Sequence, residues 1–155
     1  VKKNSRRPKQ KKFGFTLIEL LLVIFIIASL GAMAIPMSSS FLLKSYLRNK
    51  TNELVSSLQT ARLNTLIGKE DSQWGVYINS SQIIMFKGSS YSAPGTSFDQ
   101  EYEIPNSLLV SPAPTEVVFT KLTGDVESTA NISLSVDTGE SKTVSVNEVG
   151  TVNVE

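Results

Sequence analysis

Gly14, Phe15 and Glu19 are the residues of this 155-residue chain whose types and spacing could do chemistry. Lys11, Lys12 and Phe13 run into the Gly14-Phe15 step, and Glu19 then stands alone among Leu, Ile and Phe. A charge in such a place costs about 1 to 3 kcal/mol of membrane-insertion free energy, least near the interface. Cutting the Gly14–Phe15 bond would put a cationic amine on Phe15, at the front of the apolar run. Glu19 is then the fifth residue of the shortened chain. A buried amine and a buried carboxylate offset one another's desolvation. Within one chain the amine lies a full turn from the acid. Between subunits of a packed helical assembly the two can meet, and the acid then also sets register.

Two other readings stay open on these residues. An ordinary secretory signal has a basic region, an apolar core and small residues such as Ala32 and Ala34 at the cleavage spacing. It gives Glu19 no purpose. A plain signal anchor tolerates the acid by letting its carboxylate snorkel to the interface.

Elsewhere the chemistry is thin. The chain has no cysteine and no histidine, which removes disulfides, thiolate sites, and the commonest general base and metal ligand. Asp125 and Glu127 beside Gly124 suggest a metal loop, but Asp-x-Glu lacks the ligand count that calcium needs, and a solvated turn is the plainer reading. No catalytic residue, metal site or cofactor is expected, and the chain reads as non-enzymatic. Seven of its 15 basic residues, and no acid, precede Phe15. The remainder has 8 basic against 14 acidic residues, a net −6, which argues against nucleic acid as a partner.

The elements follow from composition and period. Residues 1–14 form a basic leader. Phe15 to Ile35 is 21 residues, about 32 Å as a helix, against a hydrocarbon core of about 30 Å. This is a single membrane span within segment 15–37, with the leader cytoplasmic and everything after Pro36 outside. Pro36 should kink or interrupt the helix. Leu43, Leu47, Leu54, Leu58, Ala61 and Thr65 make one apolar stripe of an amphipathic helix over 38–68, with Gly68 as its stop. Residues 69–155 read as a β-rich head. WGVYIN and QIIMFK form a hairpin about Ser80-Ser81, a loop follows from Gly88 to Ser97, and five short strands come after it. The last two long strands are joined by Asp137-Thr138-Gly139-Glu140. The fold class is α+β, one long helix lying across an antiparallel sheet.

With these residues assembled, Lys11-Lys12-Phe13-Gly14-Phe15-Thr16-Leu17-Ile18-Glu19-Leu20 resembles the class III signal of type IV prepilins and type II secretion pseudopilins. The basic leader ending in Gly, the aromatic residue, Thr, two aliphatics and Glu all match, as does the later Pro36. The resemblance implies a pilin-like fold and cleavage between Gly14 and Phe15 by prepilin peptidase, with methylation of the Phe15 amine. It also implies assembly through the N-terminal helix, with Thr16, Glu19 and Pro36 as assembly residues. The implied partners are other pilins or pseudopilins, the peptidase, an inner-membrane assembly platform and the membrane. The implied location is the inner membrane, and then the filament.

The head narrows the resemblance. Thr60-Ala61-Arg62, the Trp74 hairpin, Val117-Val118-Phe119, Gly124, Asn131-Ile132-Ser133-Leu134 and Val144-Ser145-Val146 before Gly150 occur in an order similar to GspH/FimT-like minor pilins and pseudopilins. A structural minor subunit for filament initiation or the tip is the expected function. The alternatives are a DNA- or substrate-binding minor pilin and an ordinary signal-anchored domain. Some FimT-like pilins bind DNA through a Gly-Arg-x-Arg motif, but Gly150-Thr151-Val152-Asn153-Val154 has no basic residue there. Arg62 is expected in a helix-surface ion pair rather than a functional contact, and Trp74 in the core or hairpin rather than as a ligand platform.

Overall fold

The computed structural model describes residues 14–91 and 97–155, with the side chains of 32–40 outside the described set. The basic leader as far as residue 13 and part of the expected loop, residues 92–96, lie outside it. The chain divides into two compact units, Val1–Ser38 and Ser39–Glu155, the second of which is called the head here. Helix α1, Leu17–Leu66, contributes to both. Of the kink or interruption expected at Pro36, the helix shows no interruption, since Pro36 falls inside its bounds. Proline removes a single i→i−4 donor, and the bonds on either side suffice to keep the assignment helical.

Within the head, α1 buries the stripe its spacing requires. Leu47, Leu54, Leu58, Ala61 and Thr65 are buried, and Leu43 packs against the same cluster. Each buried leucine contributes about 1.5–3 kcal/mol relative to an exposed one. Two threonines sit on this apolar face without loss, because each hydroxyl donates to the carbonyl one turn back. Thr51 reaches Leu47 O at 2.7 Å and Thr65 reaches Ala61 O at 2.9 Å. The Thr65 hydroxyl also accepts the backbone N–H of Trp74 at 3.1 Å, tying the helix to the first strand. Past Leu66 the chain turns at Gly68, whose φ of 65° is left-handed and suits glycine.

The strands are β1 (Trp74–Ile78), β2 (Gln82–Lys87), β3 (Gln100–Glu103), β4 (Leu108–Ser111), β5 (Thr115–Phe119), β6 (Ala130–Val136), β7 (Ser141–Val146) and β8 (Val152–Val154). They form two four-stranded antiparallel sheets rather than one, in the orders β3-β2-β1-β5 and β4-β6-β7-β8. The chain leaves the first sheet to lay down β4, returns for β5, and leaves again. This interleaving makes one core from both sheets and the helix, with Val76, Ile78, Phe119, Ile132, Leu134 and Val144 in the cluster that holds Leu54 and Leu58. The result is α+β, a helix packed on antiparallel sheets, consistent with a pilin-like fold.

The hairpin of β1 and β2 pairs Ile78 with Ile83. Asn79 fixes its turn, its side-chain oxygen accepting the N–H groups of Ser81 at 2.8 Å and Gln82 at 2.7 Å. The run Ile83-Ile84-Met85-Phe86 does not alternate because all four are buried. Ile83 and Met85 belong to the main core, while Phe86 packs with Tyr91, which stacks on Tyr77. Both faces of the strand are thus covered. Gly75 makes room for this second layer, since a Cβ there would meet the Phe86 ring at 2.7 Å and Val117 O at 2.8 Å.

Candidate functional site

Gly14, Phe15 and Thr16 are non-helical, and α1 begins at Leu17. Thr16 is the N-cap. Its carbonyl accepts the N–H of Leu20 at 3.2 Å, and its hydroxyl accepts the N–H of Glu19 at 3.3 Å. The Gly14–Phe15 bond therefore lies just outside the helix, with Phe15 84% exposed and nothing within 4 Å of a Cβ built on Gly14. A peptide bond in a helix must unwind before a protease can bind it, and this one need not.

Glu19 lies in the first turn of α1. A carboxylate there interacts favourably with the positive end of the helix dipole, worth about 0.3–1 kcal/mol. Thr16 and Glu19 also have the Thr-x-x-Glu spacing of a capping box. The cap by the Thr16 hydroxyl is a role that the sequence reading missed, although the signal Thr16-Leu17-Ile18-Glu19 was present in it. Among the described residues the Glu19 carboxylate has no cationic partner. The amine expected to meet it exists only once the Gly14–Phe15 bond is cut.

The turns that follow are apolar all round. Leu20, Leu21, Leu22, Val23, Ile24, Phe25, Ile26 and Ile27 are consecutive and all exposed. No stripe is hidden and no face is polar, so neighbouring helices or lipid must cover this surface. Among the described residues no helix is long and apolar enough to cross a membrane. The span expected over Phe15–Ile35 runs into residues 32–35, whose side chains lie outside the described set.

In the head, Arg62 does not form the expected ion pair. Its Nε donates to Gly124 O at 3.3 Å and its Nη2 to Val149 O at 2.8 Å. It thereby joins α1 to the loops that precede β6 and β8. Gly150 packs into this junction with φ 74°, and a Cβ there would run into the Gly124 carbonyl and lie 2.9 Å from Arg62 Nε. Val152–Val154 beyond it is β8, paired with β7. Trp74 is 1% exposed, in the core, with its indole N–H donating to Lys69 O at 3.1 Å. The carbonyl of Asp125 closes a turn by accepting Thr120 N–H at 2.7 Å, and Glu127 lines a polar cleft of about 350 Å³ with Gln73, Ser90 and Glu116. No cluster of three or more acids occurs there among the described residues.

Comparison with known proteins bears on the N-terminal segment alone. Residues 9–35 match the family model described as the prokaryotic N-terminal methylation motif. No curated protein and no solved structure matches the chain. The motif supports a type IV prepilin-like protein of structural rather than catalytic kind, anchored in a membrane by its N-terminal region, processed by prepilin peptidase and assembled with other pilins.

Proposed function

We propose that the chain is a minor pilin or pseudopilin, cut between Gly14 and Phe15, methylated on the new amine and assembled through residues 15–37 into a type IV pilus or a type II secretion pseudopilus. Before assembly it is a single-pass protein of the inner membrane, its N-terminus cytoplasmic and its head outside. The basic leader and the positive-inside rule favour that orientation. The single observation that carries the reading is Glu19, fifth from an exposed Gly14–Phe15 bond and inside the matched motif. In the filament, Thr16 caps the helix, Glu19 meets the amine of a neighbouring subunit, and Pro36 marks where the assembly segment ends.

Among such proteins we assign it to the GspH/FimT-like minor subunits, at initiation or at the tip. The succession from Arg62 through Gly124 to Gly150 supports this, because those three residues meet in one junction of the head. The test is Glu19→Leu in a cell that carries the assembly machinery. The reading predicts that the variant is still cleaved but absent from sheared filaments. Incorporation at the wild-type level would sink it. A DNA-binding subunit would instead retain duplex DNA at low salt, whereas a head of net −5 (8 basic against 13 acidic residues) disfavours a polyanion of that length.

A further inference from the structure

Eight basic residues follow Phe15, and the head accounts for six of them internally. Lys44, Lys50, Lys87 and Lys121 pair with Glu140, Glu53, Glu70 and Asp71. Arg62 is bound to two carbonyls, and the Lys69 ammonium lies 5.0 Å from the centre of the Trp74 ring. Arg48 and Lys142 are left without a partner among the described residues, and both line the same groove. This groove, of about 410 Å³, runs between Phe41, Lys44, Ser45 and Arg48 of α1 and Glu140 at the β6–β7 turn with Lys142 at the start of β7. Three cations face one carboxylate there, on a portion of the chain that is otherwise acidic. Phe41 is 71% exposed at its rim, and Leu42 beside it is exposed too.

We propose that this groove docks on the phosphate headgroups of anionic phospholipid in the membrane that anchors the chain, an inference that rests on the membrane-anchoring reading above. Charge and position both select that occupant. Phosphodiester oxygens match an arginine fork, a lysine and the Ser45 hydroxyl. Phe41 follows Ile35 by only six residues in the chain, so the rim of the groove is tethered close to the segment read as anchored. Lys44 and Arg48 lie one and two turns beyond Phe41 on that face of α1, and helical side chains slant back toward the helix N-terminus. Lys142 comes from the start of β7, beside them. Anionic lipid supplies the attraction for the three cations.

A spin label reads this cleanly, because the chain has no native cysteine. Thr138→Cys places the label in the exposed β6–β7 turn, outside the groove lining. The full chain is reconstituted in nanodiscs of phosphatidylcholine alone or with a third phosphatidylglycerol, each containing a trace of headgroup-chelated nickel. Relaxation of the label should rise at least threefold in the anionic discs, and the rise should vanish at high salt and in Arg48→Gln/Lys142→Gln. Equal relaxation in the two discs would overturn the docking while leaving anchoring intact. A rise that follows protein copies per disc rather than lipid charge would overturn it in favour of a second copy. A chain retained in neither disc would overturn the anchoring reading and the docking with it.

Discussion

The hydroxyl of Thr16 accepts the backbone N–H of Glu19 at 3.3 Å, so the residue that caps α1 and the acid within the apolar motif form one structural unit. On the proposed function the Glu19 side chain has two separable roles, a carboxylate at the positive end of the helix and a partner for an amine of a neighbouring subunit. The cap is made by the Thr16 hydroxyl and the Glu19 backbone N–H, which glutamine keeps while carrying no charge. Glu19→Gln should therefore leave helix content and cleavage unchanged while abolishing co-assembly. Thr16→Ala should do the reverse in part, costing about 1 kcal/mol of local helix stability. Circular dichroism of the detergent-solubilised chain, set beside the yield in sheared filaments, distinguishes the two roles.

Arg62 holds two carbonyls, Gly124 O at 3.3 Å and Val149 O at 2.8 Å. Arg62→Ala should destabilise the head by about 1–3 kcal/mol, read as a lower urea midpoint with an unchanged slope. Arg62→Lys should recover part of this at most, since one ammonium cannot reproduce a fork that spans Gly124 O and Val149 O. An unchanged midpoint in Arg62→Ala would mean the junction is held by packing alone.

Gly150 and Gly139 both have positive φ, at 74° and 87°, but only Gly150 is enclosed. Gly139→Ala should cost only the left-handed strain, about 1–2 kcal/mol. Gly150→Ala adds a collision with the Gly124 carbonyl and should cost more, at least about 3 kcal/mol by analogy with overpacked sites. Thermal denaturation of the two variants side by side gives the comparison.

Lys121 donates to the Asp71 carboxylate, and this hydrogen bond and charge hold its pKa below the usual 3.8. The folded value is depressed, so the stabilisation is present above the unfolded value and is lost as pH falls through the lower folded one. The melting temperatures of wild type and Asp71→Asn should therefore differ most at neutral pH and converge as the pH falls through the lowered folded value. Asp71 is exposed, so the difference is small and should shrink with salt.

What was legible in the sequence was local. The stripe from Leu43 to Thr65, the Asn79-Ser80-Ser81 hairpin and the turn at Gly139 are each specified by residues a few positions apart. The division into two sheets was not legible, because it depends on β4 pairing with β6 across more than twenty residues, with β5 inserted between them. The unbroken run Ile83-Ile84-Met85-Phe86 was the one sign that a strand is covered on both faces. Strand β8 is three residues long and too short to carry a period. The role of Arg62 was hidden for a similar reason, since its acceptors are carbonyls 62 and 87 positions away and leave no mark on side-chain type. At the N-terminus the motif itself was plain, while the cap within it was obscured by the attention that a charge among apolar residues draws.

The most direct test of the central claim is intact mass with N-terminal sequencing of the chain expressed beside a prepilin peptidase. A mature chain that starts at Phe15 and is about 14 Da heavier than its sequence is the predicted result. It would mean that Gly14 is the cut and that Glu19 awaits the amine the cut creates. A start at Ile35, or a chain left whole, would contradict the account.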